Sequence, residues 1–215
     1  MSGAAAKVDI YNLALSACGV TGNLVDPDGD NEKADVCNTH YESARCAALA
    51  LHPWNFALKR AKLNRDAIDP DFGYAYRFRL PDDCIRFIAT KEQMERLTQL
   101  SPSYNGYLTI SRLSAFPDHE DYSIEDGYLL SDREEVRGLY IYDHQVIAKW
   151  SALFVKVMSL TLGAEIAYRL TNSSTMKETL LKQAEETLRR GRAVDGQEGR
   201  LRRKQSSSWA ASRRY

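Results

Sequence analysis

Residues 52–87 read HPWNFALKRAKLNRDAIDPDFGYAYRFRLPDDCIRF, and this stretch decides the fold because a helical pattern stops where it begins. Pro53 cannot continue that helical pattern, and it disfavours helical backbone in the residue before it. Further on, large apolar side chains recur at every second position, the period of a strand with one buried face. These side chains are Phe72, Tyr74, Tyr76, Phe78 and Leu80. A β-rich segment therefore follows a helical one.

The composition is that of a folded chain with an uneven distribution of charge. The 215 residues are 44% hydrophobic, enough for one core and a small second lobe. Lys and Arg together number 29, as do Asp and Glu, so the net charge is zero. Residues 196–215, however, hold six basic residues and one acidic residue, a net charge of +5, which leaves −5 for residues 1–195. A basic end on an acidic body points to an electrostatic role for that end.

The cysteines and the apolar segments favour a cytosolic chain without a membrane anchor. The four cysteines include no C-x-x-C pair, and the first residues lack the apolar core of a secretory signal. We therefore expect reduced thiols. Residues 146–170 are long enough to span a bilayer, but charged residues interrupt them, and we expect no membrane contact. These are Lys149, Lys156, Glu165 and Arg169.

Four helices are predicted, two on each side of the β-rich part. Apolar periodicity predicts the first two over residues 5–18 and from Asp30 or Asn31, either of which can cap the helix, to residue 51. The third is predicted from residue 143 or 144 to 170, about 40 Å long, with a wide apolar face that includes Val146. The fourth is predicted over residues 174–192 with Ser174 as its cap, since the pattern stops after Ala193.

Short strands separated by turn residues fill the middle of the chain. Turn signals at short intervals predict an antiparallel meander or small barrel. Residues 94–100 read equally well as a short helix. The candidate strands are residues 55–63, 73–80, 85–91, 106–113, 122–124, 128–131 and 139–143.

The sequence thus predicts an α+β fold with three parts. Residues 1–52 and 145–192 form an antiparallel helical bundle of about four helices. Residues 53–144 form an inserted, mainly antiparallel β lobe. Residues 193–215, rich in Gly, Ser and Arg, form an extended and flexible basic tail that cannot build its own core.

Several motifs in this layout resemble one known family. They are NLAL at 12–15 followed by Gly19, HPWNFA at 52–57, FGYAY at 72–76 and LPDDCIR at 80–86. With the late long helix and polar C-terminus, the chain resembles the tail tubular protein A family of short-tailed phages, head-to-tail adaptors that sit under the portal. The sharp similarity covers residues 10–90, whereas residues 92–140 match by layout only.

The resemblance implies a structural virion protein rather than an enzyme. It implies a homo-oligomeric ring of twelve copies at the head–tail junction, assembled in the host cytoplasm. Such a ring binds the phage portal protein above and the tail tube or nozzle below. It extends the channel through which genomic DNA passes during ejection, without sequence-specific binding. Neither a cofactor nor a metal is expected.

The resemblance also places portal docking in the C-terminal extension, which falls on residues 196–215 here. Arg and aromatic side chains are enriched among binding anchors, and a disordered segment can fold onto a partner. A solvated, floppy end is the alternative. The candidate partner-binding residues are Arg200, Arg202, Arg203, Lys204, Trp209, Arg213, Arg214 and Tyr215.

Two other classes of function remain open. In a DNA-binding accessory protein, the basic run at 200–204 would neutralise phosphates and Trp209 would stack on a base. A cell-wall hydrolase would need two carboxylates in a cleft, and the adjacent pairs Glu125/Asp126 and Glu134/Glu135 lie in turn-like polar contexts. The sequence carries no nucleophile, phosphate-binding or metalloprotease motif, so we assign no catalytic residue.

Two segments faintly resemble metal-binding motifs, but each has a simpler structural explanation. Residues 26–32 echo a calcium loop, but the glycine comes too early, and a turn with a helix cap explains them better. Cys37 and His40, with Cys46 further along the same helix, could offer zinc ligands. We expect instead that the cysteines are small buried residues on a helix-packing seam.

Overall fold

The computed structural model describes residues 6–100 and 122–198, with backbone only at 97–100 and 196–198. Within these residues the fold is mixed α+β, with five helices and two antiparallel sheets, so the predicted class is confirmed. The helices are α1 Lys7–Ala17, α2 Glu32–Ala50, α3 Lys91–Leu100, α4 Ala152–Thr171 and α5 Ser174–Glu198. Short 3₁₀ turns occupy Asn55–Ala57 and Ile147–Lys149.

Seven strands form the two sheets. They are β1 Leu58–Lys62, β2 Asn64–Arg65, β3 Tyr76–Arg79, β4 Cys84–Thr90, β5 Ser123–Glu125, β6 Tyr128–Ser131 and β7 Arg137–Tyr142. The first sheet has the order β1-β7-β4 and the second the order β2-β3-β6-β5. Every pairing between neighbouring strands is antiparallel.

Helix α4 is the centre of the main core. It packs against α1, α2 and α5, and nearly all its side chains between Val157 and Ala167 are buried. A helix that is apolar around most of its circumference needs neighbours on several sides, and α4 has them. Helix α2 contributes the seam of small residues that its sequence predicted, including the buried Ala34, Cys37, Ala44 and Ala48.

The first sheet separates this helical core from a smaller second core. Successive side chains of a strand point to opposite faces. In β7, Ile141 packs into the helical core while its neighbour Tyr140 packs into the second core. The second core also contains Leu63, Phe78 and Leu129. The sheet therefore attaches the remaining strands to the helices.

The start of α2 agrees with prediction, whereas the start of α4 does not. Asn31 caps α2, and its Oδ1 accepts a hydrogen bond from the backbone N–H of Lys33 at 2.9 Å. Helix α4 begins at Ala152 rather than at residue 143 or 144, and Val146 is 53% exposed. The Ser151 hydroxyl caps it by accepting from the Phe154 N–H. With 20 residues, α4 is about 30 Å long rather than about 40 Å.

The residues before α4 are diverted by a side-chain contact. The Trp150 indole N–H donates to the carbonyl oxygen of His144 at 3.1 Å and closes a compact turn around Ile147–Lys149. Apolar periodicity continues through this turn, and no Gly or Pro marks a break. The helix predicted from the sequence was therefore too long.

Helix α5 continues past its predicted end. It runs to Glu198 through Gly191 and Gly196, so residues 193–198 are helical and the predicted end at residue 192 is wrong. At its start, Ser173 rather than Ser174 is the cap, since the Ser173 hydroxyl accepts from the Met176 N–H at 3.3 Å.

The strands pair differently from a meander. β1 pairs with β7, the last strand among the described residues, and the described strands form two sheets. The predicted strand at 73–80 is confined to Tyr76–Arg79, and Phe72 is 89% exposed instead of sharing a buried face. The ambiguous segment at 94–100 is helical, within α3. The predicted strand at 106–113 lies outside the described residues.

Candidate functional site

All eight predicted partner-binding residues lie beyond residue 198, outside the described part of the chain. They are Arg200, Arg202, Arg203, Lys204, Trp209, Arg213, Arg214 and Tyr215. The structure instead describes where this segment begins. Residue 199 follows directly on α5, so the last turns of α5 set the origin of the C-terminal segment.

The last turns of α5 are attached to the loop that follows α2, and we call this contact the α2–α5 junction. It consists of Leu51, His52, Asn55, Arg192 and Asp195. Asp195 is 6% exposed and His52 3%. The Asp195 Oδ2 lies 3.0 Å from His52 Nε2, and the carboxylate accepts a hydrogen bond from the Asn55 backbone N–H at 3.2 Å.

The junction also satisfies backbone groups at the ends of both helices. The last four carbonyl groups of a helix have no partner within it. The Asn55 side-chain amide donates to the carbonyl oxygen of Asp195 at 2.8 Å, within the last turn of α5. In return, the Arg192 guanidinium donates to the carbonyl oxygen of Leu51, the C-cap residue of α2, at 3.2 Å. Each helix end is thus capped by a side chain from the opposite side of the junction.

Trp54 lies beneath the junction and brings α5 close to the core. Its indole N–H donates to the Ala48 carbonyl oxygen at 3.2 Å, and its ring makes an edge contact with Phe154, 5.2 Å between centroids. On its other side it faces Gly191, where an added Cβ would lie 2.9 Å from Trp54 Cη2. The absence of a side chain at Gly191 therefore lets the helix backbone approach the indole.

Sequence reasoning singled out residues 52–57 but missed their partner. Asp195 is 140 residues from Asn55, and no local pattern joins them. No local signal marked Asp195 either, because the apolar pattern ends before it and the sequence predicted no helix there.

A second surface feature lies on the β2–β3 loop, residues 66–75, which we call the Phe72 loop. Two large apolar side chains project from it, Phe72 at 89% and Ile68 at 63% exposure. Its base is braced. Asp66 pairs with Arg77 at 2.8 Å, and the Ala75 N–H donates to the Asp132 carboxylate at 2.9 Å. The two exposed apolar side chains on this braced loop make it a candidate contact surface.

The four carboxylates considered for hydrolysis, in the pairs Glu125/Asp126 and Glu134/Glu135, are all exposed. Hydrogen bonds from Lys62 and then Arg137 lower the pKa of Glu135, whereas a glycosidase acid needs a raised pKa. Glu125 and Asp126 are exposed next to the β5–β6 turn, where Asp126 and Gly127 both have positive φ. A depression of about 420 Å³ on the surface is lined only by α5 residues, including Glu185 and Glu186, and lies away from both pairs.

The suggested zinc ligands point in different directions. Burial, together with neighbouring Cys18, raises the pKa of Cys37 to about 11, which keeps the thiol protonated. His40 instead faces α4, with its Nδ1 3.6 Å from a Glu165 carboxylate oxygen. Among the described residues, no three His, Cys, Asp or Glu side chains are grouped so as to hold a metal ion.

None of the described helices is both long enough and apolar enough to cross a membrane. A scan of the chain against protein-family models finds no matching family, and a search of curated proteins finds no significant match.

Proposed function

We propose that this protein is a structural virion protein, a head-to-tail adaptor of a short-tailed phage that forms a ring below the portal. In this proposal helices α1, α2, α4 and α5 form the ring body. Residues 53–144 form an inserted β lobe that contacts neighbouring subunits or the tail tube. The basic C-terminal segment docks on the portal. The ring extends the DNA channel and gives the tail tube or nozzle its attachment surface.

The observation that carries the proposal is the α2–α5 junction. Residues 52–57 are part of the stretch that resembles the adaptor family, and they hold the helix from which the basic segment emerges. The family-like motif thus holds the helix that precedes the proposed docking segment in the chain. This arrangement is what an adaptor needs if its terminal segment is to act from a fixed origin.

The Phe72 loop supports the second half of the proposal. An exposed aromatic side chain on a braced loop loses little conformational entropy on binding, which favours it as an interface anchor. The loop belongs to the second sheet, on the far side of the first sheet from the helices. A surface there is separate from the origin of the C-terminal segment, so one subunit can serve two partners.

The direct test mixes the full-length protein with purified portal rings of the same phage and images the product by electron microscopy. We expect a ring of subunits on the portal, and we expect a chain ending at Glu198 to form no such complex. Absence of a ring with the full-length protein would contradict the adaptor function. Equal docking by the truncated chain would contradict only the role of the C-terminal segment.

DNA binding is the second candidate, favoured by the charges around the end of α5. Arg189, Arg190 and Arg192 are exposed in the turns that lead to the basic run at 200–204. A contact with several phosphates weakens steeply as salt rises. If this is the function, the fraction of DNA retained on a filter falls steeply as the salt concentration rises from about 50 to about 200 mM. The chain ending at Glu198 retains no DNA.

A further inference from the structure

We propose that the α2–α5 junction is a positioning device, which keeps the last described turns of α5 helical and holds them against the end of α2. Its effect on portal docking rests on the proposed function. Its effect on the helix end does not. The residues of the junction are positioning residues, and the partner-binding groups themselves lie on the segment that follows.

The last turns of α5 have little else to hold them. Gly191 and Gly196 both disfavour helix. Arg192, Ala193 and Val194 are exposed, so within residues 192–195 only Asp195 is buried. Residues 192–195 therefore contribute almost no apolar packing, and the hydrogen bonds of Asp195 and Arg192 provide their attachment to the core.

The contacts at Asp195 require that its backbone be helical. Asn55 binds residue 195 twice: its backbone N–H reaches the carboxylate and its side-chain amide reaches the carbonyl oxygen. Both bonds can form only when the side chain and the carbonyl oxygen of residue 195 keep the relative positions seen in the helix. The junction therefore selects the helical state of the last turns and does not merely restrain the chain.

The charges at the junction also favour a specific role for Asp195. The C-terminus of α2 lies here, and it has a partial negative charge. A buried carboxylate beside it is unfavourable unless it is fully hydrogen-bonded. His52 and the Asn55 N–H meet that need, and the Arg192 guanidinium neutralises the end of α2. A position that served only to continue the helix would gain nothing from an Asp.

The consequence for docking follows from population arithmetic. If a partner binds only the chain whose last turns are ordered, the apparent affinity falls in proportion to the fraction in that state. A variant that leaves the junction open nine-tenths of the time binds about tenfold more weakly, although every partner-binding residue is intact.

The first experiment measures the helix end without any partner, by amide hydrogen exchange of the full-length protein. We expect Asp195→Ala and Asn55→Ala to speed exchange at residues 192–198 at least about tenfold. Exchange in α4 stays unchanged, and Val194→Ala, an exposed neighbour, has no such effect. Wild-type exchange rates at 192–198 in both junction variants would overturn the proposal. Asn55→Ala keeps the contact between His52 and Asp195, so the test stands even if Asp195→Ala fails to fold.

The second experiment measures binding to portal rings. We expect both junction variants to bind about tenfold more weakly than wild type and Val194→Ala to bind normally, in line with the open fraction. Unchanged affinity in a variant whose helix end has loosened would overturn the coupling to docking. If wild type itself fails to bind portal rings, the proposed function is wrong, while the exchange experiment still decides whether the junction orders α5.

Discussion

At the scale of single residues, Gly191 allows helix α5 to pack closely against Trp54, although Gly has a low helix propensity. A Gly in a helix interior is normally about 1 kcal/mol less stable than Ala. Here an added Cβ would lie 2.9 Å from Trp54 Cη2 and 3.2 Å from Cζ3. The Trp54 indole cannot easily move to make room for a Cβ, because Phe154 and the Ala48 carbonyl hold it in place. The end of a flexible side chain could move more easily.

We therefore expect Gly191→Ala to lower the free energy of unfolding by about 1–3 kcal/mol, the usual cost of overpacking. Urea denaturation measures it. In a Trp54→Phe background, where the crowding ring is smaller, the same substitution should be neutral or stabilising. Equal destabilisation in both backgrounds would show that the indole is not the cause.

His144 makes stability depend on pH. Burial, with Phe56 at 5.4 Å and Tyr142 at 5.2 Å between ring centroids, lowers its pKa below the ordinary 6.5. Lys149 adds to this shift and Asp143 opposes it. The unfolded chain then binds the proton more readily than the folded one. The stabilisation is therefore complete above about pH 6.5 and is lost as pH falls from there toward the lower folded pKa.

Urea midpoints measured from pH 7.5 down to pH 5 test this dependence. We expect His144→Gln to lose less stability over that range than the wild-type protein. His40→Gln is the control, because His40 is partly exposed on α2 beside Glu165. The expectation fails if the His144 variant and the wild-type protein lose stability equally on acidification.

At the scale of elements, the sequence predicted which segments are helical better than where they end. Caps with a local signal, such as Asn31, were found. The ends set by distant contacts were not: Trp150 bonds to His144 and shortens α4, and Asn55 binds Asp195 and lengthens α5. Periodicity reports only how apolar and polar residues alternate within one segment. It therefore cannot reveal a hydrogen-bond partner 140 residues away, as Asp195 is from Asn55. The sequence left the strand order open for the same reason, and the structure pairs β1 with β7.

The observed start of α4 can be tested by whether Ser151→Ala lowers or raises the stability of the protein. Ser151 caps the helix through the Phe154 N–H, so Ser151→Ala should cost about 1 kcal/mol of stability. Had the helix begun at residue 144, Ser151 would lie in its interior, where Ser→Ala gains a few tenths of a kcal/mol. Thermal unfolding distinguishes the two signs. Val146→Ala, at a side chain 53% exposed, is the near-neutral comparison.

At the scale of the whole molecule, the Phe72 loop and the origin of the basic segment belong to different structural elements. The Phe72 loop belongs to the second sheet, and the basic segment begins at the end of α5. The sequence predicted the charge asymmetry, which needs only counting. It placed Phe72 on a buried strand face, because period-two alternation continues into the loop where Gly73 has a φ of +89°.

We expect Phe72→Ser to leave the stability of the isolated subunit within about 0.5 kcal/mol of wild type, because the side chain is 89% exposed. Assembly into rings, followed by sedimentation velocity, should weaken. Phe78→Ala is the matched contrast, since Phe78 is 1% exposed and its loss should cost about 3–5 kcal/mol. Normal assembly of the Phe72 variant would show that the loop is not a subunit contact.

The pairing of β1 with β7 has a mechanical consequence. Leu58 at the start of β1 pairs with Ile141 near the end of β7, so the chain enters and leaves the strands side by side. A force that pulls the strands away from the helices loads β1 and β7 in the same direction. The two strands then do not slide past each other, and their hydrogen bonds are not broken in sequence. Such a load acts instead on the apolar contact of Leu58 and Ile141 with the helical core.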